Sequence, residues 1–231
     1  MKKKDFFNRP VYIALSYVYY FFAANVLFLI SNLVFIIVYL AAEPNIYSYM
    51  LLFITAIPFG PSISALLSIM GKLLKEKEID VWKDYSRAYK DNFKQAFKIW
   101  IFLLLAMGIL MVDIRVVSSI PSYKFVGAFF LGIMLILMLI TLYAFPILSR
   151  FYMKTVDIIR ASMYFSIRRL PTTAVKIVII IGTFYLLKYL GFFGFMFFTS
   201  IIAYLIMFYD RGALAELEDK LKKDGTAKAN A

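Results

Sequence analysis

The sequence contains no cysteine and no histidine among its 231 residues. Without cysteine there are no disulfides, no thiolate nucleophiles and no cysteine-ligated metal centres. Without histidine there are no Ser-His or Cys-His dyads and no usual haem ligand, and the side chain best suited to proton relay near neutral pH is missing. The sequence also lacks a carboxylate cluster for acid–base or metal chemistry. We therefore expect a protein that is not an enzyme, with no catalytic residues, no metal and no cofactor.

Charged residues are scarce as well. They make up 17% of the chain, against 63% hydrophobic residues, and the mean hydropathy is +0.80. A soluble domain usually has about 25% charged and about 45–50% apolar residues. The excess lies in long uncharged runs, and runs of about 18 residues or more predict transmembrane helices. The composition therefore predicts an all-α integral membrane protein, because a single soluble core would not need six such segments.

Six apolar segments predict one transmembrane domain, a bundle of six helices within residues 1–210. The predicted spans are 17–42, 47–70, 96–117, 125–149, 172–189 and 191–209. Gly191 and Gly194 are expected to allow a tight reversal between the last two spans. Residues 211–231 are expected to form a charged cytoplasmic tail that frays. The basic start of the chain resembles a signal peptide, but the apolar run that follows exceeds an h-region of about 7–15 residues, which favours an uncleaved first span.

Lysine and arginine are distributed unequally between the two sides of this bundle. Of the 26 in the sequence, 23 lie on the side of the termini, and only Arg115, Lys124 and Lys188 lie on the other. The positive-inside rule then predicts a multi-pass protein of the cell membrane with both termini cytoplasmic. The net charge of +12 follows this topology. Nucleic acid is not an expected partner, because the basic residues follow no nucleic-acid-binding motif.

Two polar stretches on the predicted cytoplasmic side have helical periodicity. In residues 80–95, with Asp80 as predicted N-cap, aromatic and charged residues alternate at spacings of three and four. This pattern predicts an amphipathic helix that lies in the membrane interface and then turns into the third span. Residues 156–169 repeat the plan, and Pro171 starts the next span. Lipid headgroups and a partner protein both fit the predicted docking face, which comprises Trp82, Tyr85, Arg87, Tyr89, Phe93, Lys94, Arg160, Arg168 and Arg169.

Asp113 is the most anomalous residue within a predicted span. It lies about 22 Å beyond Lys98 along a helix, within a hydrocarbon core about 30 Å thick. A carboxylate at that depth is costly unless it is paired. Arg115 points to the opposite side, whereas Lys188 in the fifth span lies at a similar depth. We therefore predict an Asp113–Lys188 ion pair; a solute or ion site, or exposure at the surface, are the alternatives.

Other polar and small residues within the spans predict contacts between helices. Asn25 and Asn32 are seven residues apart on one face of the first span, which indicates interhelical hydrogen bonds or the lining of a ligand site. Small residues at a spacing of four allow helices to approach closely, and they are Gly60, Ser64 and Ser68 in the second span and Ala128 and Gly132 in the fourth. Prolines near the basic ends of the same two spans predict local kinks, or discontinuous helices at a transport site.

Several segments resemble the YesL family of bacterial membrane proteins. They are "ANVLFLISNLVF", "PFGPSISALLSIMGKLLKEKE", "VWKDYSRAYKDNFKQAF" and "YAFPILSRF". The family pattern corresponds here to Asn32, Gly60-Pro61, the run from Asn92 to Ala96, Asp113 and Phe145-Pro146. Tyr85 and Tyr89 depart from it, because phenylalanine is more frequent there. The resemblance implies a multi-pass cell-membrane protein of unassigned activity, whose relatives are often encoded beside carbohydrate uptake and breakdown systems, including ABC importers.

Two functions are compatible with these observations. The favoured one is a non-catalytic accessory or regulatory protein whose partners are the lipid bilayer and another membrane component, such as the permease of a sugar ABC importer. It agrees with the sparse polarity of the spans and with the basic surface helices. The alternative is a small solute transporter or a lipid-binding membrane carrier, which would have a polar or lipid-filled cavity near Asn25, Asn32 and Asp113.

Overall fold

The computed structural model describes residues 10–120 and 123–223, and the side chains of residues 10, 124, 184, 187 and 191–197 are not among those described. Eight α-helices cover the described residues, which contain no β-strand. The helices are α1 (Pro10–Ser31), α2 (Leu33–Ala41), α3 (Ile46–Thr55), α4 (Phe59–Glu76), α5 (Val81–Ser118), α6 (Lys124–Leu148), α7 (Thr155–Arg168) and α8 (Leu170–Lys223). The prediction of an all-α fold is confirmed.

Four helical segments are long and apolar enough to cross a membrane. They are Val11–Ser31, Val81–Ser118, Phe125–Leu148 and Leu170–Leu190. α3 and α4, which are bent by 41° relative to each other, together make a fifth candidate. The chain is thus built as a multi-pass membrane protein, with four or five spans among the described residues. The predicted sixth span begins in 191–197, outside the described side chains.

The first two predicted spans are each broken into two helices. The first is interrupted at Asn32, whose backbone leaves the helical region (φ −116°, ψ 18°). The second is interrupted at residues 56–58, because Pro58 and Pro61 have no backbone N–H to continue the hydrogen-bond ladder. The indole of Trp100 donates to the carbonyl of Ala56 at this break (2.8 Å). The kink predicted from the prolines is present, and a neighbouring helix satisfies a carbonyl there.

The first predicted interfacial helix and the third predicted span are a single helix. α5 runs without interruption over 38 residues, a length of about 57 Å. The predicted turn between residues 95 and 96 is therefore wrong. No proline or glycine occurs from 81 to 107, so nothing in the sequence breaks the helix there. Asp80 caps its start as predicted, accepting from the backbone N–H of Lys83 (3.2 Å).

The last helix reverses direction within its length. All residues from Leu170 to Lys223 are helical, yet the side chains of Lys176 and Asp210 approach to 2.9 Å. In a straight helix these two residues would lie about 51 Å apart. α8 therefore folds back on itself, with a first leg, Leu170–Leu190, and a second leg, 198–223. The predicted reversal at Gly191 and Gly194 falls in the stretch whose side chains are not described.

The core lies at one end of the bundle. We call this the charged end; it carries the α4–α5 turn, the α6–α7 connection, α7 and the last turns of α8. Its largest buried side chains include Phe28, Met70, Tyr143, Phe165 and Leu214. α4 is central, since it packs against α1, α5, α6 and α8. At the opposite end, α2 and α3 bury none of their residues.

The bounds predicted for the second polar helix, 156–169, are close to those of α7, whereas residues 211–223 of the predicted frayed tail are helical. α7 buries Ile158, Ser162 and Phe165. α8 continues as helix to Lys223, because Ala213, Leu214 and Leu217 form an apolar face that is buried in the core. Residues 224–231 lie outside the described chain.

The small residues predicted to mediate packing have different environments. Gly60 lies directly against α5, where an added Cβ would overlap the Cβ of Trp100. Ser64 is buried and Ser68 is partly buried on the same helix. Ala128 is exposed, and a Cβ at Gly132 would meet no atom within 4 Å. These last two residues pack against no other described helix, because this side of α6 faces outward.

We predict that Gly60→Ala lowers the unfolding free energy by about 1–3 kcal/mol, since the new methyl group overlaps the Trp100 side chain and forces α4 and α5 apart. Denaturing-detergent titration of the purified protein measures the change. Gly132→Ala is the matched control, and we expect it to leave stability unchanged or slightly raised. Equal effects of the two substitutions would contradict the close approach at Gly60.

Candidate functional site

The ion pair predicted between Asp113 and Lys188 is not formed. Among the described residues, Asp113 is half-buried and has no ion pair, and Lys188 is exposed. Their helices do not lie side by side, because α5 packs against α1, α4 and α6, whereas α8 packs against α1, α4, α6 and α7. The prediction matched the two residues in depth but could not place their helices.

The two buried asparagines form hydrogen bonds between helices. Asn32 donates to Ser62 Oγ in α4 (2.9 Å) and to its own helix at Phe28 (2.8 Å). Ser62 in turn donates to the carbonyl of Pro58 (2.6 Å), so the breaks in the first two predicted spans are linked. The amide oxygen of Asn25 accepts from the backbone N–H of Ser200 in the second leg of α8 (3.3 Å). Both asparagines thus join helices.

The residues predicted as a docking face on α5 divide between its inner and outer sides. Tyr85 is buried, with its hydroxyl 3.1 Å from Ser31 Oγ, and Tyr89 is half-buried. Asn92, which is not one of the residues of the predicted docking face, is also buried. Aromatic rings four residues apart contact each other along the helix, at 5.6 Å between Tyr89 and Phe93. The aromatic residues of the predicted docking face therefore differ in burial, from the buried Tyr85 to the exposed Trp82 and Phe93.

The inner side of this segment is held firmly. Asp84 pairs with Lys72 of α4 (2.9 Å), and its other oxygen accepts from the backbone N–H of Asp80 (3.1 Å). Gln95 donates to the carbonyl of Met153 in the α6–α7 connection (2.6 Å). The N-terminal part of α5 is thus fixed to the bundle by polar contacts on two sides as well as by buried side chains.

The outer side of the same segment is exposed, aromatic and basic. Trp82 is 52% exposed and Phe93 is 39% exposed. A shallow depression of about 510 Å³ is lined by Trp82, Lys83, Ser86, Arg87, Lys90 and Asp91. Lys94 is exposed one turn further along. We call this the α5 surface, comprising Trp82, Lys83, Arg87, Lys90, Phe93 and Lys94. It presents large apolar groups among cations on a rigid helix.

Two of the three arginines predicted for docking on α7 have internal partners. Arg169 contacts Glu216 of α8 (3.0 Å), and Arg168 contacts the other oxygen of that carboxylate (3.4 Å). The hydrogen bond from Arg169 lowers the pKa of Glu216 from its usual value. Arg160 is exposed, with only a long contact to Asp157 (3.8 Å). Arg168 and Arg169 therefore fasten α7 to the second leg of α8.

A polar centre that the sequence did not predict lies between α6 and the two legs of α8. The ammonium group of Lys176 is 2.9 Å from Asp210 Oδ1, and both side chains are almost fully buried. The ammonium group also donates to the carbonyl of Leu142 (3.0 Å) and lies 3.1 Å from the centre of the Tyr143 ring. The hydroxyl of Tyr143 is 2.9 Å from Thr173 Oγ1.

Pro146 explains why a carbonyl is available there. It lies inside α6 and has no N–H, so the carbonyl of Leu142, four residues earlier, has no helical partner. The ammonium group of Lys176 donates a hydrogen bond to this carbonyl instead. Three features of the sequence indicate this centre: Lys176 lies inside one apolar segment, Asp210 directly follows another, and Pro146 lies in a third. The pair is missed when Lys176 and Asp210 are assigned to the charged flanks of their segments.

Two small cavities border Lys72 at the charged end, with volumes of about 50 and 110 Å³. They are lined mainly by polar residues of α4, α5 and the α6–α7 connection. Within the described part of the chain, no group of three or more histidine, cysteine or acidic residues is placed to hold a metal ion.

One comparison with known proteins gives a match. A family model described as "Protein of unknown function, DUF624" matches residues 45–114. This stretch runs from the start of α3 to near the end of α5, so it includes the broken span, Gly60 and the α5 surface. No curated protein and no solved structure matches the chain.

We predict that Lys176→Met lowers the unfolding free energy by about 3–5 kcal/mol, because it leaves the Asp210 carboxylate buried without a cation. The double variant Lys176→Met with Asp210→Leu is expected to be more stable than the single variant. Denaturing-detergent titration measures both. Lys220→Met is the control, because it removes an exposed ammonium group from Glu216 and should lower stability far less than Lys176→Met. A single variant as stable as the control would contradict the structural role of the pair.

Proposed function

We propose that this chain is a non-catalytic accessory or regulatory protein of a carbohydrate uptake system of the ABC type. In this proposal it is a six-span protein of a bacterial cell membrane, with its charged end and both termini in the cytoplasm. It acts by binding another membrane component, such as the importer's permease, through the α5 surface. The excess of basic residues at the charged end supports this orientation.

The observation that carries the proposal is the rigid, exposed α5 surface. α5 extends about 25 Å from Lys98 back to Val81, with its inner side fixed to the bundle. Ordering these side chains on a partner therefore costs less entropy than ordering a flexible segment. Exposed tryptophan and arginine are the residue types that dominate binding energy at protein interfaces.

The geometry of α5 favours a protein partner over lipid headgroups for this surface. A helix that lies in the interface plane buries one apolar face in the bilayer, with its axis parallel to the membrane. Here the segment and a span form one helix of 38 residues, about 57 Å long, and we infer that its first turns extend beyond a hydrocarbon core of about 30 Å. Trp82, 52% exposed and close to the tip of α5, is far from the apolar part of the helix.

Charge indicates what kind of surface the partner presents. Four cations, Lys83, Arg87, Lys90 and Lys94, lie on the α5 surface beside one acid, Asp91. Electrostatic complementarity then requires acidic groups around an apolar contact on the partner. The choice of a sugar importer has separate support, which is the resemblance to the YesL family and its association with carbohydrate uptake systems.

The alternative function, a small solute transporter or lipid-binding carrier, is favoured by one observation. An open apolar groove of about 500 Å³ lies between α3 and α5 and has Asp113 among its lining residues. It lies at the end of the bundle opposite the charged end, so ligand binding there and partner binding at the α5 surface can be tested separately.

Affinity purification of the full-length protein from its native membrane in mild detergent, with quantitative mass spectrometry, tests the accessory role. We expect stoichiometric recovery of a permease or ATPase with the wild-type protein. The double variant Trp82→Ala with Arg87→Glu should recover at least about tenfold less, because it removes an aromatic anchor and reverses a charge.

Phe125→Ala is the matched control, since Phe125 is 86% exposed at the opposite end of the bundle. It should leave recovery unchanged. A wild-type protein that purifies alone through several mild detergents would contradict the accessory function. Recovery that is equally reduced by the Phe125 variant would contradict the assignment of the interface to the α5 surface.

A further inference from the structure

The groove between α3 and α5 combines apolar walls with one acidic group. Its walls include Met50, Phe53, Leu105, Ile109 and Val112, and Asp113 is the charged residue in its lining. Most of these apolar side chains are exposed, with Ile109 at 62% and Val112 at 61%, so the groove opens sideways from the bundle. In a membrane, a groove of this kind faces the lipid.

Gly108 shapes the inner wall of the groove. The Phe53 ring lies only 3.0 Å from the position that a Cβ at Gly108 would occupy. The absence of a side chain at Gly108 lets the Phe53 ring approach α5, while α3 is bent by 41° relative to α4 across the break at residues 56–58. Phe53 and Gly108, which both line the groove, thus bring α3 and α5 together at one point.

Asp113 has no partner in this groove. Among the described residues it forms no ion pair and no side-chain hydrogen bond, and it is half-buried. Arg115, two residues later, points to the opposite side of α5. A carboxylate in an apolar groove is costly without a cation or a donor, so the groove is complementary to a ligand with a positive group.

The order of the residues along α5 matches the shape of a lipid. Asp113 lies five residues before the end of α5, whereas Leu105 lies about 12 Å deeper in the bundle. One leaflet of a hydrocarbon core is about 15 Å thick. A lipid with its headgroup at Asp113 would therefore lay one acyl chain along Val112, Ile109 and Leu105. A soluble amine would not use these apolar walls.

We propose that the groove is a binding site for a phospholipid with a primary ammonium headgroup. The ammonium group donates to the Asp113 carboxylate, and an acyl chain lies between α3 and α5. This site is independent of the accessory function, because it uses neither the α5 surface nor the charged end.

Native mass spectrometry of the full-length protein tests the site, with phosphatidylethanolamine and phosphatidylglycerol of identical acyl chains added in equal amounts. We expect the wild-type protein to retain phosphatidylethanolamine in preference to phosphatidylglycerol by about tenfold, the effect of one charge-assisted hydrogen bond. Asp113→Asn should abolish that preference. Glu43→Gln, which neutralises an exposed acid in the α2–α3 turn at the same end, should preserve it.

Gly108→Leu should reduce retention of both lipids, because its side chain displaces Phe53 into the groove. The proposal is overturned if the wild-type protein shows no headgroup preference, or if Asp113→Asn retains it. It is also overturned if free ethanolamine displaces phosphatidylethanolamine at equal concentration, since the site would then bind a soluble amine and not a lipid.

Discussion

The ion pair between Lys176 and Asp210 holds the two legs of α8 together. These residues belong to a continuous helical stretch, and their contact requires that stretch to turn back on itself. The pair also joins α8 to α6 through the carbonyl that Pro146 leaves free. A buried pair of this kind is stable only when its remaining protons and lone pairs are satisfied. The Leu142 carbonyl and the Tyr143 ring meet that condition for the ammonium group.

The position of the pair connects the spans to the charged end. Closer to the charged end, Arg169 contacts Glu216 and Arg150 contacts Glu218, and both acids belong to the second leg of α8. These contacts hold the last turns of α8 against α7 and the α6–α7 connection, and α8 in turn packs against α4. With α4 fixed at the centre, α5 is packed along its inner side and exposes only its outer side. The α5 surface therefore depends on a core built around the reversal of α8, and the opposite end is left open to the membrane.

Much of the fold could be predicted from the sequence, since long apolar runs and basic flanks are local signals. The apolar runs located α6 and the first leg of α8, and α1 in part, and the periodicity of residues 156–169 located α7. The sequence predicts two helices where α5 is one, because an amphipathic pattern does not show whether a helix lies along the membrane surface or continues a span. An interfacial helix and a rigid extension of a span have the same pattern of residues, and only the absence of a helix breaker distinguishes them. Asn25 and Asn32 form contacts between helices, which is one of the two roles that the sequence indicates for them.

The polar partners were less predictable, because pairing depends on which helices are neighbours. Asp113 and Lys188 matched in depth, yet α5 and α8 do not pack side by side. Lys176 and Asp210 looked like flanking charges, because each lies near the end of an apolar run. Pro146 predicts a kink, but it also frees the carbonyl of Leu142, which accepts a hydrogen bond from Lys176. A proline inside one span and a lysine at matching depth in another together predict that the lysine binds the carbonyl that the proline leaves without a donor.

The distance between the two legs of α8 tests the account most directly. The protein has no native cysteine, so spin labels at Val178→Cys and Phe208→Cys report a single distance by pulsed electron resonance. Both positions are exposed, and they flank Lys176 and Asp210. The account predicts a narrow distribution centred at about 20 Å or less, as expected for adjacent antiparallel helices. A distribution near about 45 Å, the separation of 30 residues in a straight helix, would contradict it.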